Sequence, residues 1–205
     1  MSINIARFIP EARRAVRNNK HEMTDDGRVF IGGGANVFIG GHATARYAPP
    51  GGEFGPRVIG PNRIVNEGLN FVLNLLGQHV SPLALYLAPF TGNVTPAANW
   101  TGANFAANAS EFTAYTAANR LPWTTVSANA QQLTNVAALS TATITLSAGG
   151  PYTIRGLGLL GASGKGATTG PLIVAARFPD DLSGLAAGGR LGLQYDLDAL
   201  DEGDA

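Results

Sequence analysis

The chain has 205 residues, of which 45% are hydrophobic and only 14% are charged, and its formal net charge at pH 7 is zero. Soluble domains usually contain roughly 25% charged residues, so this composition predicts a surface partly covered by other subunits. The absence of cysteine excludes disulfides and thiolate metal sites, and no apolar run is long enough to predict a membrane-spanning helix.

The first 27 residues are expected to form an arm that contacts a neighbouring subunit. The first 20 residues contain four arginines and one lysine but a single acid, Glu11. We expect this arm to become ordered only on binding, because it has too few apolar residues for a core. Its candidate interface residues are Phe8, Arg13, Arg14 and Arg17. A nucleic-acid partner is not expected, because the chain as a whole has no basic excess.

Two near-repeats follow the arm, VFIGGGA at 29–35 and VFIGGHA at 37–43. They predict a hairpin of two short strands, in which Phe30 and Phe38 are candidate interface residues. The prolines and glycines at 49–56 predict an extended linker. We therefore interpret residues 1–61 as an extended arm with a short hairpin, and residues 62–205 as the folded domain.

Residues 62–77, NRIVNEGLNFVLNLLG, predict the single helix of the chain. Asn62 is expected to cap its start and Gly77 to follow its end in a left-handed conformation. Helical spacing predicts one apolar stripe, formed by Leu69, Val72, Leu73 and Leu76.

From residue 83 onward the pattern is that of short strands separated by turns. The strand candidates lie at 83–90, 111–116, 141–148, 152–163, 171–178 and 190–197. Residues 91–110 are expected to form a long loop of the interfacial kind, anchored by Trp100 and Phe105. The predicted fold class is mainly β, an antiparallel β-sandwich of jelly-roll-like type with one α-helix and an extended N-terminal arm.

Several patterns suggest catalysis or cofactor binding, but each lacks a required part. Residues 156–161, GLGLLG, match the dinucleotide fingerprint, yet the following GASGKGATTG cannot begin a helix, so a glycine-rich core strand is the better interpretation. The loop around Lys165 lacks the glycine and hydroxyl of a phosphate loop. His21, His42 and His79 lack metal-ligand spacing. We therefore predict no enzyme activity, no cofactor and no metal.

Glu111 and Arg120 stand in a charge-poor region beside the long loop. Because an unpaired buried charge is costly, we expect one or both to make a structural salt bridge or an intersubunit contact. Plain surface exposure is the alternative. The last ten residues, DLDALDEGDA, carry five acids and no base, which suits contacts with the basic arm of a neighbouring copy or two solvated ends.

Part of the sequence resembles a family of small proteins encoded among the virion structural genes of tailed phages. The shared features are NEGLN at 66–70, TPAA at 95–98, E-x-T-x-Y at 111–115, an arginine (Arg120) just before an aromatic, and a G-x-L-x-x-S-x-K loop ending at Lys165. The resemblance covers about two-thirds of the chain.

This resemblance implies a bacteriophage virion structural protein. The expected role is decoration or cementing of the capsid, as a minor capsid protein that binds the major capsid protein or other virion subunits and forms homo-oligomers, with a trimer favoured. Its expected location is the virion, assembled in the host cytoplasm. The alternatives are a tail, collar or baseplate component, or a host-receptor or carbohydrate-binding module in which Trp100, Tyr115 and Trp123 stack on sugars.

Overall fold

The structure is a computed structural model that describes residues 29–31, 37–136 and 142–201. Within these ranges the chain is mainly β, with one sheet of ten strands and two helices. The strands are β1 (Val29–Ile31), β2 (Val37–Ala48), β3 (Val58–Ile64), β4 (Tyr86–Phe90), β5 (Leu121–Pro122), β6 (Gln132–Thr134), β7 (Thr143–Thr145), β8 (Tyr152–Leu160), β9 (Leu172–Leu185) and β10 (Arg190–Asp201). The helices are α1 (Asn66–Leu76) and α2 (Gly102–Ala109).

The sheet is antiparallel and curled. Its strand order is β5-β4-β8-β9-β3-β2-β10-β6, with β1 paired to β2 and β7 paired to β10. Residues 111–116 link β4 to β7. The N–H of Phe112 donates to the Pro89 carbonyl of β4 (2.8 Å), and the N–H of Thr116 donates to the Thr145 carbonyl of β7 (2.9 Å). The curl encloses the larger hydrophobic core.

A second, smaller core lies on the outer face of the sheet, between α2 and the strands β4, β8 and β9. Successive side chains of a strand face opposite sides, so in β4 Leu87 belongs to the inner core and Phe90 to the outer one. This double coverage explains why these strands are continuously apolar. Gly156 of β8 confirms the interpretation of a glycine-rich core strand, because a Cβ there would overlap the Phe90 ring.

The structure corrects the predicted arm at residues 37–48 and 58–61, which form strands, whereas residues 49–57, which contain the predicted linker, form neither helix nor strand. Strand β2 lies in the middle of the sheet between β3 and β10, and the boundary predicted after residue 61 falls inside β3. These strands bury small side chains, including Ala43 and Ala45, which are fully buried. Because these segments contain few large apolar residues, their sequence did not predict two central strands. The predicted hairpin is confirmed, with Phe30 opposite Phe38 in the β1–β2 register.

The helix predicted at 62–77 is present but shorter. It begins at Asn66 after an N-cap at Val65, while Asn62 belongs to β3 and donates a hydrogen bond from its amide to the Tyr195 hydroxyl (2.6 Å). The left-handed residue after the helix is Gln78 rather than Gly77. Tertiary pairing of Asn62 thus replaces the expected local cap.

The prediction of a single helix is wrong, because residues 102–109 of the expected long loop form α2. Its start has a capping box, in which the Thr101 N–H donates to the Asn104 side chain (2.8 Å). Residues 111–116 form bridges rather than a strand, and the other five strand candidates each overlap a strand of the sheet. The short strands β5 and β6 were not predicted.

Candidate interaction surfaces

The Glu111–Arg120 pair forms a buried salt bridge within the chain. The Arg120 Nε donates to Glu111 Oε1 (2.8 Å) and Nη2 donates to Oε2 (2.7 Å), and the two side chains are 2% and 0% exposed for Glu111 and Arg120. Arg120 also donates to the carbonyls of Ala162 (2.8 Å) and Ala167 (3.3 Å). The predicted structural salt bridge is therefore confirmed, and it holds the loop after β8 against residues 111–120.

Lys165 makes a second set of contacts between the loop after β8 and residues 111–120. Its Nζ lies 3.8 Å from the centroid of the Tyr115 ring and donates to the carbonyls of Tyr115 (2.7 Å) and Thr113 (3.1 Å). Burial lowers the pKa of Lys165, and burial, with a smaller effect of the Glu111 charge, raises the pKa of Tyr115. The motif residues around 111–120 and 158–165 therefore contact each other through the hydrogen bonds of Arg120 and Lys165.

Glu67 of the NEGLN motif also has a structural position. Its Oε2 accepts hydrogen bonds from the N–H groups of Gly102 (2.7 Å) and Leu172 (2.7 Å), so it joins α1 to the start of α2 and to β9. The neighbouring Gly68 packs directly on the backbone of Ile173. A carboxylate with these two donors is engaged in holding the fold.

The aromatic rings proposed as interface or sugar-stacking residues lie mostly inside the chain. Phe105 and Trp100 are buried and pack edge to face in the outer core. Tyr115 is buried in the inner core, and Trp123 is half-buried with its Nε1–H donating to the Tyr195 carbonyl (2.9 Å). The buried rings present no open face to a partner at the surface of a single chain.

The remaining sequence candidates divide into two groups. Phe30 and Phe38 are placed opposite each other by the β1–β2 register. Four residues lie outside the described residues, namely Phe8, Arg13, Arg14 and Arg17.

A surface that the sequence analysis missed lies at the tip of α1. Residues 73–84, termed here the helix-tip segment, are all exposed except Leu75, and they include Leu76 at 73% and Leu73 at 40% exposure. Val80 and Leu83 are also partly exposed. The predicted apolar stripe of the helix is therefore exposed over its C-terminal half.

The helix-tip segment belongs to a long stretch with almost no charge. Between Glu67 and Arg155 the sequence contains two charged residues, Glu111 and Arg120, and these are buried together in their own salt bridge. The exposed surface formed by residues 68–110 and 121–154 therefore has no Asp, Glu, Lys or Arg side chain in the part that the structure describes, and His79 is its one ionisable residue besides tyrosine. The absence of charge over this stretch could be read from the sequence, whereas the exposure of the leucines is visible only in the structure.

A third feature is a small polar pocket on the outer face of β2 and β10. It has a volume of about 50 Å³ and is lined by Thr44, Arg46, Arg57, Val136, Gly192 and Gln194. Beside it, His42 Nε2 lies 2.9 Å from Asp196 Oδ2, to which the Gln194 amide also donates (2.7 Å). Among residues 29–31, 37–136 and 142–201, no cluster of three His, Asp or Glu side chains is arranged to hold a metal ion.

Comparison with protein-family models, curated proteins and solved structures gave no match to this chain. The resemblance to phage virion proteins therefore stays a prediction. Neither helix in the described part of the chain has the length and apolar character needed to cross a lipid bilayer.

Proposed function

We propose that the chain is a structural subunit of a tailed-bacteriophage particle that assembles with copies of itself and with other virion subunits. The observation that carries this proposal is the exposed helix-tip segment, which contains no Asp, Glu, Lys or Arg. A free monomer normally keeps charged residues around exposed apolar groups, whereas a subunit of an assembly buries such a surface against its neighbours. The low charge content of the whole sequence supports the same conclusion.

The size of the apolar surface supports a multivalent assembly rather than a simple pair. Burying the exposed fractions of Leu73, Leu76, Val80 and Leu83 is worth about 3–6 kcal/mol. Association of two proteins costs about 4–15 kcal/mol in lost rigid-body freedom, so this surface alone does not hold a dimer. Additional contacts or a ring of several copies would supply the difference, which fits the proposed trimer and the repetitive surface of a capsid.

The finer structural proposals are a sandwich-like packing of the curled sheet, of jelly-roll-like type, and an N-terminal arm. Because residues 37–48 and 58–61 belong to strands β2 and β3 of the sheet, the proposed arm is confined to residues 1–28, whose basic side chains would bind the major capsid protein or another virion subunit. Decoration or cementing of the capsid is the favoured role, and a tail, collar or baseplate position is the alternative. A sugar-binding role has less support, because Trp100 and Tyr115 are buried.

The proposal is tested at the helix-tip segment with two matched variants. Leu76→Glu places a charge on the exposed apolar stripe, and Asn70→Glu places the same charge on the exposed opposite side of the same helix, outside the helix-tip segment. In analytical ultracentrifugation we expect the natural chain and Asn70→Glu to form the same oligomer and Leu76→Glu to dissociate. A natural chain that stays monomeric up to about millimolar concentration would contradict self-assembly.

The location in the particle needs a second measurement. Quantitative mass spectrometry of purified phage particles should find the chain in a fixed ratio to the major capsid protein, and deletion of residues 1–28 should reduce its incorporation while the sheet still folds. A ratio of a few copies per particle would favour the tail, collar or baseplate. Absence of the chain from purified particles would overturn the virion assignment.

A further inference from the structure

The pocket on the outer face of β2 and β10 is a built cationic site, termed here the arginine pocket and formed by Thr44, Arg46, Arg57 and Gln194. Thr44 stands opposite Gln194 in the β2–β10 register, and Arg46 is two residues further along β2. Arg57 enters from the loop that directly precedes β3. Neighbouring strands therefore fix three of the four side chains relative to one another.

One buried donor of the arginine pocket, the Nε of Arg46, lacks a hydrogen-bond partner among the residues that the structure describes. Neither Arg46 nor Arg57 forms an ion pair within these residues. A buried donor that is left unbonded costs free energy, so this site favours a ligand that accepts hydrogen bonds.

Two arginines line the pocket, and the carboxylate of Asp196 beside it is engaged by His42 and by the Gln194 amide. The Arg46 guanidinium lies 4.5 Å from the centroid of the Phe54 ring, and Arg190 approaches the same ring at 5.1 Å. Guanidinium groups stay charged at all physiological pH values and bind carboxylates through paired hydrogen bonds. The ligand is therefore an anion with at least two acceptor oxygens.

Size and surroundings favour a carboxylate on a peptide. A volume of about 50 Å³ holds a few water-sized atoms, which suits a carboxylate group and excludes a sugar or a nucleotide base. Two half-exposed apolar side chains lie at the edge, Val136 in the pocket lining and Ile59 opposite Thr44 in the β2–β3 register. Such an edge matches an acidic segment that also contains apolar residues.

The chain itself contains such a segment, DALDEGDA at 198–205. Its acids beyond β10 cannot reach the arginine pocket of their own chain. From Gln194 in the pocket to Asp201 at the end of β10 is about 23 Å of strand, whereas residues 202–205 extend at most about 14 Å. A contact with Glu202 or Asp204 is therefore possible only between two copies.

We propose that the arginine pocket binds a carboxylate of Glu202 or Asp204 from a second copy of the chain. This inference rests on the proposed self-assembly and gives it a direction, because the pocket of one copy receives the acidic segment of the next. Such a head-to-tail contact is heterologous, so it closes into a ring such as a trimer when the rotation between copies permits.

The test uses the full chain, at a concentration at which it is monomeric, and a fluorescent peptide with the sequence ALDEGDA. Fluorescence anisotropy should show saturable binding that weakens with added salt, and the amide-substituted peptide ALNQGNA should not bind. Arg57→Gln should weaken peptide binding at least tenfold. Arg57 is exposed and makes no hydrogen bond in the described structure, so this variant should keep the fold.

Arg63→Gln is the matched control, because Arg63 lies on β3 six residues from Arg57, about 20 Å along the strand. Unchanged peptide binding by this variant supports a local site, and equal weakening by both variants would overturn it in favour of general charge attraction. Tight binding of inorganic phosphate or of a short oligonucleotide at the pocket, with no binding of the acidic peptide, would also overturn the inference.

The result separates this inference from the proposed function. If the peptide binds and its binding depends on Arg57, but the chain is absent from phage particles, the pocket inference is supported and the proposed virion role is contradicted. If the chain self-associates through the helix-tip segment while the peptide does not bind, the pocket inference fails alone.

Discussion

Replacing Arg120 with methionine should be among the most destabilising single changes in the chain. Arg120→Met leaves the buried Glu111 carboxylate without its two charged hydrogen bonds, and it removes the donors to the Ala162 and Ala167 carbonyls. Removing one partner of a buried ion pair costs about 3–5 kcal/mol. With a urea dependence of about 2 kcal/mol per molar, the unfolding midpoint should fall by roughly 1.5–2.5 M.

The double variant distinguishes the ion pair from simple packing. Replacing Glu111 and Arg120 together with leucine and methionine removes both charges, so the double variant should be more stable than Arg120→Met alone, and the two single losses should not add. Arg155→Met is the control, because its ion pair with Asp181 is partly exposed and should be worth about 1 kcal/mol or less. The reasoning is refuted if Arg120→Met costs less than about 1 kcal/mol or if the single losses are additive in urea titrations.

Two further predictions follow from individual contacts. Gly68→Ala should destabilise the chain by about 1–3 kcal/mol, because the added methyl group collides with the Ile173 backbone; an unchanged melting temperature would contradict this packing. Hydrogen bonds from Arg177, and to a lesser extent from Arg155, hold the pKa of Asp181 below its ordinary value. This ion pair therefore stabilises the fold above about pH 4 and loses that effect as the pH falls through the lowered pKa, so the small stability deficit of Asp181→Asn at pH 7 should decrease progressively as the pH is lowered below about 4.

The sequence determined the elements whose signal is local. Short apolar segments bounded by turn residues at 152–163, 171–178 and 190–197 predicted β8, β9 and β10, and the near-repeat predicted the β1–β2 hairpin, because a strand pattern depends on the residues of the strand itself. The charge-poor surroundings of Glu111 and Arg120 likewise predicted a salt bridge, since two isolated opposite charges in an apolar region are costly when apart.

Tertiary structure alone decided the rest. Residues 37–64 are glycine- and alanine-rich and resemble a linker by composition, yet residues 37–48 and 58–64 form β2 and β3 in the middle of the sheet, where small side chains such as Ala43 and Ala45 are fully buried. Helix α1 has one continuous apolar stripe, but the sheet covers only its first half, which leaves Leu73 and Leu76 exposed. The arginine pocket is lined by residues between positions 44 and 194. These residues are far apart in the sequence, and the pairing of β2 with β10 brings them together.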